Sequence, residues 1–188
     1  MQNVWATFLL AAIVIDVAAQ APGDDLADNA KPRMTSYFEL FIAAARQGAT
    51  DGIVLGGDYL VDPPNESFGY WATPKNSLTF AKMGVDGVHT AIITFDGMVR
   101  EDSPVVYISP MDFDSAVTVV APTFLDYLAD GCGIDRSAMA EALESSQRDP
   151  GEFLRLLDSN FDSQRLLESD RIERLNGEYL DQVQVNPL

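Results

Sequence analysis

Two Asp-Gly steps, Asp86-Gly87 and Asp96-Gly97, each separate runs of β-branched and aromatic residues, and they constrain the fold more than any other feature of the chain. Asp-Gly accepts the left-handed backbone that a two-residue hairpin turn requires. Leu78 to Ala81, Val88 to Phe95 and Val105 to Ile108 are therefore expected to be successive antiparallel strands. Val117 to Val120 continues the series. Ile53 to Leu55, Tyr59 to Val61 and Phe68 to Trp71 read as earlier strands, with Pro63-Pro64-Asn65 as a break.

Helical spacing flanks this β-rich centre. Tyr37, Phe38, Leu40, Phe41, Ala44 and Ala45 recur every three or four residues, and Gly48 ends the pattern. Phe124, Leu125 and Leu128 line a short helix between Pro122 and Gly131. Beyond it, Ser137 to Glu144, Pro150 to Leu157 and Asp162 to Leu175 read as three helices, with Pro150 suited to a first helical turn. In the last, Leu166, Leu167 and Ile172 are interleaved with charges of both signs, the pattern of a solvated helix. The fold class is α+β: an N-terminal helix, a mainly antiparallel sheet of five or six strands, and C-terminal helices. Three parts follow: an apolar segment with linker over 1–33, an α+β domain over 34–145, and an acidic helical tail over 146–188.

The first part has two readings. Val4 to Ala21 is mostly apolar and Ala19-Gln20-Ala21 resembles a signal-peptidase site, which suggests export. No Lys or Arg precedes Lys31, however, and Asp16 interrupts the run, which disfavours both a signal peptide and a membrane span. A loose arm is the alternative, with Met34 as a second candidate start. A single cysteine, Cys132, excludes an intrachain disulfide and fits a reducing, cytoplasmic compartment.

Charge narrows the partners. In 188 residues, 29 acidic and 12 basic side chains leave a formal net of -17, and residues 101–188 hold 18 of the acids against 6 basic residues. Such a field repels phosphate backbones and steers basic proteins toward the C-terminal half. Nucleic acid is not an expected partner; a basic protein is.

Residues suited to catalysis are scarce. His89 is the only histidine, so no zinc site has its ligand spacing, and a nucleophile would have to be served by that one ring. A dyad of His89 with Cys132 is the one formal option for a hydrolase, but Cys132 lies between glycines with no neighbouring cation. Gly84-Val85-Asp86-Gly87-Val88-His89 lacks the Gly-Lys-Ser/Thr ending of a phosphate loop and leads into a strand. Asp112 and Asp114 do not fill a calcium loop. No catalytic residue, cofactor or metal is expected. His89 is expected to bond to the Asp86 turn, and Tyr70, Trp71, Asp86, Asp112 and Asp114 are the candidates for contact with a partner.

A resemblance runs through the same residues. Trp71-Ala72-Thr73-Pro74, Asn76, Leu78-Thr79-Phe80-Ala81, Gly84 and Asp86-Gly87-Val88-His89 are similar to the central signature of the SUKH superfamily. Pro104-Val105-Val106, Ser109-Pro110-Met111, Val119-Val120, Phe124 and Leu128 to Gly131-Cys132 resemble its later strands and following helix. The shared positions are mostly apolar residues, Gly and Pro, so they specify a fold more than a site. The resemblance implies a bacterial immunity protein that binds and blocks a cognate toxin, or a relative of the fungal regulators of cell-wall assembly, and it supplies no catalytic set. The rival expectation is an exported or envelope-associated protein of structural or regulatory role.

Overall fold

The computed structural model describes residues 36–48, 53–55, 58–66, 68–130, 140, 144 and 149–185. The apolar segment 1–33, Cys132 and most of the helix expected over Ser137 to Glu144 lie outside the described residues.

Helix α1 (Ser36–Gly48) leads into a sheet of six strands: β1 (Ile53–Leu55), β2 (Asp58–Asn65), β3 (Ser77–Lys82), β4 (His89–Ile93), β5 (Val105–Ile108) and β6 (Val117–Ala121). Their spatial order is their chain order and every pairing is antiparallel, so the sheet is a meander. Both Asp-Gly steps make the expected turns. Asp86 and Gly87 have φ of 51° and 71°, Asp96 and Gly97 of 53° and 72°, the left-handed pairs of tight hairpins. Helices α2 (Phe124–Ala129), α3 (Pro150–Asn160), α4 (Ser163–Leu167) and α5 (Arg171–Tyr179) follow, then a 3₁₀ turn at Leu180–Gln182. Pro150 occupies the first turn of α3, capped by the Asp149 carboxylate on the Gly151 N–H.

Strand alternation divides the apolar residues between two faces. On the front, Leu78, Phe80, Ile92, Val105 and Ala121 meet Phe38 and Phe41 of α1, Phe124 and Tyr127 of α2, and Phe153 and Leu157 of α3. Phe80 and Phe124 each lie edge-on to Phe38 and Phe41, with ring centres 5.0 to 5.9 Å apart, the arrangement that aromatic quadrupoles favour. On the back, Ala91, Ile93, Val106, Ile108, Val117 and Val119 are covered by Ala72, Leu175 and Val183. The acidic tail therefore packs on both sides of the sheet. Its α5 also caps the β6 edge, where the Val119 N–H donates to Asn176 Oδ1 at 2.8 Å and Arg171 Nη2 donates to the Val120 carbonyl at 2.8 Å. Filling those backbone positions removes an exposed edge. Asn76 ties down the chain end, donating to the Gln182 carbonyl and accepting from the Gln184 N–H, each at 2.8 Å.

Several sequence expectations need correction. Phe68 to Trp71 is not a strand: Gly69 has a φ of 87°, which ends extended structure, and the segment instead crosses the back face. Pro63-Pro64-Asn65 is not a break but the far half of β2. The short β1 pairs only with Asp58 and Tyr59, so that half borders no β1 residue, and a register shift on the β3 side takes up the prolines. Asp162 to Leu175 is two helices, since the chain turns at Glu168–Asp170. That turn aims Leu175 into the back core and leaves Leu166, Leu167 and Ile172 exposed.

Candidate functional site

The crossing segment 68–76 joins the two Asp-bearing loops at one end of the sheet. Because His89 opens β4 opposite Ile108, the last residue of β5, the β3–β4 turn (83–88) and the β5–β6 loop (109–116) emerge side by side. Trp71 is pinned to the second loop: its Nε1–H donates to the Pro110 carbonyl at 3.2 Å and its ring stacks on Phe113 at 5.9 Å and 5°. Tyr70 lies over the first loop, with its ring 5.8 Å from that of His89 and directly above Gly87.

His89 is the post on which this corner rests. Its ring is 1% exposed, enclosed by Phe68 at 4.8 Å and by Tyr70. The Gly87 carbonyl, 2.7 Å from Nδ1, can only accept, so Nδ1 carries the proton and Nε2 accepts from the Thr73 hydroxyl at 3.0 Å. Burial pushes the imidazole pKa below its ordinary value, opposed in part by the Gly87 carbonyl. The sequence placed His89 against the Asp86 turn, and it bonds there to the residue after Asp86. Both nitrogens are spent on structure, and Thr73, the hydroxyl beside it, is 6% exposed, so solvent reaches neither group. Among the described residues no three His, Cys, Asp or Glu side chains are grouped to hold a metal.

The outward side of this corner is apolar and acidic. Tyr70 is 42% exposed, Met111 64% and Phe113 66%, with Met83 and Val85 exposed on the neighbouring turn. Asp86, Asp112 and Asp114 stand in the same two loops and are all exposed. The larger loop is held by its own bonds: Ser109 N–H to the Ala116 carbonyl at 2.8 Å, Asp112 N–H to the Ser109 carbonyl at 3.0 Å, and Ser115 N–H to Asp112 Oδ1 at 3.1 Å. All five partner-contact residues expected from the sequence therefore belong to one continuous corner. Aromatic residues and Met at the centre with charges beside them is the make-up of a protein-docking surface. Phe113 was not singled out in the sequence, and Gly87 and Met111 stood out there only as fold signals and not as contact residues. The alternation Met111-Asp112-Phe113-Asp114 carries a signal of sorts, two large apolar residues among acids in a loop.

No described helix is long and apolar enough to cross a membrane. Comparison with protein families, with curated proteins and with solved structures finds no match.

Proposed function

We propose that this protein is a non-enzymatic binding module of the immunity type, which neutralises a basic toxin-like protein by covering it with the corner built from Tyr70, Trp71, Asp86, Asp112 and Asp114. The observation that carries this reading is the joining of those five residues, with Phe113 and Met111, into one surface, exposed except at the half-buried Trp71 and fixed from behind by His89. Rigid, part-exposed aromatic rings supply contact area at low entropic cost, and the surrounding carboxylates select a cationic partner. The net charge of -17 speeds the encounter and disfavours nucleic acid. The resemblance to the SUKH superfamily, carried by the residues quoted above, supports the immunity role and, with the lone Cys132, a cytoplasmic setting. Toxins that act on nucleic acid tend to be basic, so an anionic cover for their substrate groove suits the charge on both sides.

The test is co-expression with a basic toxin domain encoded beside the gene. The intact chain restores growth and binds with an association rate that falls as salt rises. A folded quadruple variant, Tyr70→Ala, Phe113→Ala, Asp112→Asn and Asp114→Asn, does neither. Protection by that variant equal to that of the intact chain, or a complex indifferent to salt, would sink the reading.

A further inference from the structure

A second site lies on the opposite face of the sheet. Thr90 and Tyr107 are paired across β4 and β5 and, by alternation, face away from His89. With Asp58, Val120, Tyr127, Asp130, Leu166 and Arg171 they line an open groove of about 300 Å³. Its charges do not cancel. Arg171 Nη2 bonds to Asp130 Oδ2 at 2.7 Å and to the Val120 carbonyl, with the two side chains 14% and 8% exposed, so that pair is neutral as a whole, although the buried Arg171 Nε has no partner among the described residues. Asp58 is different: it is half-buried and has no hydrogen-bond or ion-pair partner among the described residues. Burial alone raises its pKa, and its charge helps burial to raise that of Tyr107, which keeps the phenol protonated. A part-desolvated carboxylate without a cation costs free energy that a bound cation would recover.

We propose that this groove binds one primary ammonium group on a short apolar stem, with Asp58 as the counter-ion and Tyr107 and Tyr127 as its aromatic walls. The residual charge of the groove is one negative unit, which matches a monocation and rejects anions. Two phenol rings beside the carboxylate add cation–π attraction and bury the stem. The volume is at the small end for ligand sites, which suits a chain of a few carbons and not a nucleotide. The ammonium has two sources, a free alkylamine or a lysine side chain of a protein. The site is separate from the Tyr70 corner and does not depend on it.

Amide NMR of the full chain, titrated with n-butylammonium chloride and in parallel with n-butanol and sodium chloride, tests this. Saturable shifts are expected at Asp58, Thr90, Tyr107 and Tyr127 with millimolar affinity, absent with butanol and with salt, and fading as acid protonates Asp58. Asp58→Asn, which keeps shape and removes charge, weakens binding about tenfold or more, the scale of one charge-assisted contact. Tyr107→Phe serves as the second variant and weakens it less. Nα-acetyl-lysine N-methylamide in place of butylammonium assigns the source: tighter binding than the free amine points to a polypeptide lysine, weaker binding to a small amine. Equal shifts with butanol, equal affinity in Asp58→Asn, or shifts of the same size at Asp86, Asp112 and Asp114 would overturn the proposal.

Discussion

Replacing Gly87 by Ala separates the docking corner from the rest of the fold, because an almost matched control exists in Gly97. Both glycines end an Asp-Gly hairpin, with φ of 71° and 72°, so alanine meets the same left-handed backbone penalty at each, roughly 1–2 kcal/mol. They differ in what a methyl group would touch. At Gly97 nothing lies within 4 Å, whereas at Gly87 the new carbon would stand 2.6 Å from Cζ and 2.9 Å from Cδ1 of Tyr70. The ring must leave. Its stacking on His89 then goes, worth roughly 0.5–1.5 kcal/mol. Gly97→Ala should therefore cost about 1–2 kcal/mol and Gly87→Ala about 1.5–3.5 kcal/mol by the same additions. Urea unfolding followed by far-ultraviolet circular dichroism measures both, and unchanged m-values confirm that the native and unfolded states are comparable. Beyond stability, Gly87→Ala should weaken partner binding and shift the Tyr70 ring resonances, and Gly97→Ala should do neither. Equal destabilisation by the two variants, with Tyr70 unmoved, would refute the packing argument.

Three further outcomes follow from the same contacts. Asp130→Ala leaves the Arg171 guanidinium buried without its carboxylate and should cost about 3–5 kcal/mol, while Asp130→Leu with Arg171→Met together should cost far less, as read from urea midpoints. Phe80→Ala opens a cavity among Phe38, Phe41, Phe124 and Tyr127 and should cost about 3–5 kcal/mol by the same measurement. Stability should also fall as the pH drops below about 6.5, since the unfolded chain takes up the His89 proton near that value while the folded chain, with its pKa lowered, takes it up only further down. Thermal melting between about pH 8 and pH 5 reads this slope, and His89→Gln should flatten it.

Local signals in the sequence carried the sheet. The Asp-Gly turns and the alternation of Val, Ile and Ala depend on neighbouring residues, so β3 to β6 were legible to within a residue or two at most ends. Where longer-range packing decides, the reading failed. Aromatic content suggested a strand at Phe68 to Trp71, but Gly69 and the need to cover His89 turned that stretch into a cap. The charges around Leu166, Leu167 and Ile172 marked a solvated helix, and those residues are exposed; what the sequence did not show is the turn that splits the helix and packs Leu175, because Arg171 anchors the start of α5 to Asp130 and the β6 edge. The proposed docking corner was half legible. Tyr70, Trp71, Asp86, Asp112 and Asp114 stood out by type, but their meeting depends on contacts such as that of Trp71 with Pro110, 39 residues on. The ammonium groove was not legible at all, since its lining comes from β2, β4, β5, β6 and three helices.

The most direct measurement is hydrogen exchange along the backbone of the free protein and of its complex with the proposed cationic partner. Slowed exchange should concentrate at residues 68–71, 83–88 and 109–116, the three stretches that form the corner. Slowing restricted to the tail over 163–185, with those three stretches unchanged, would contradict the account.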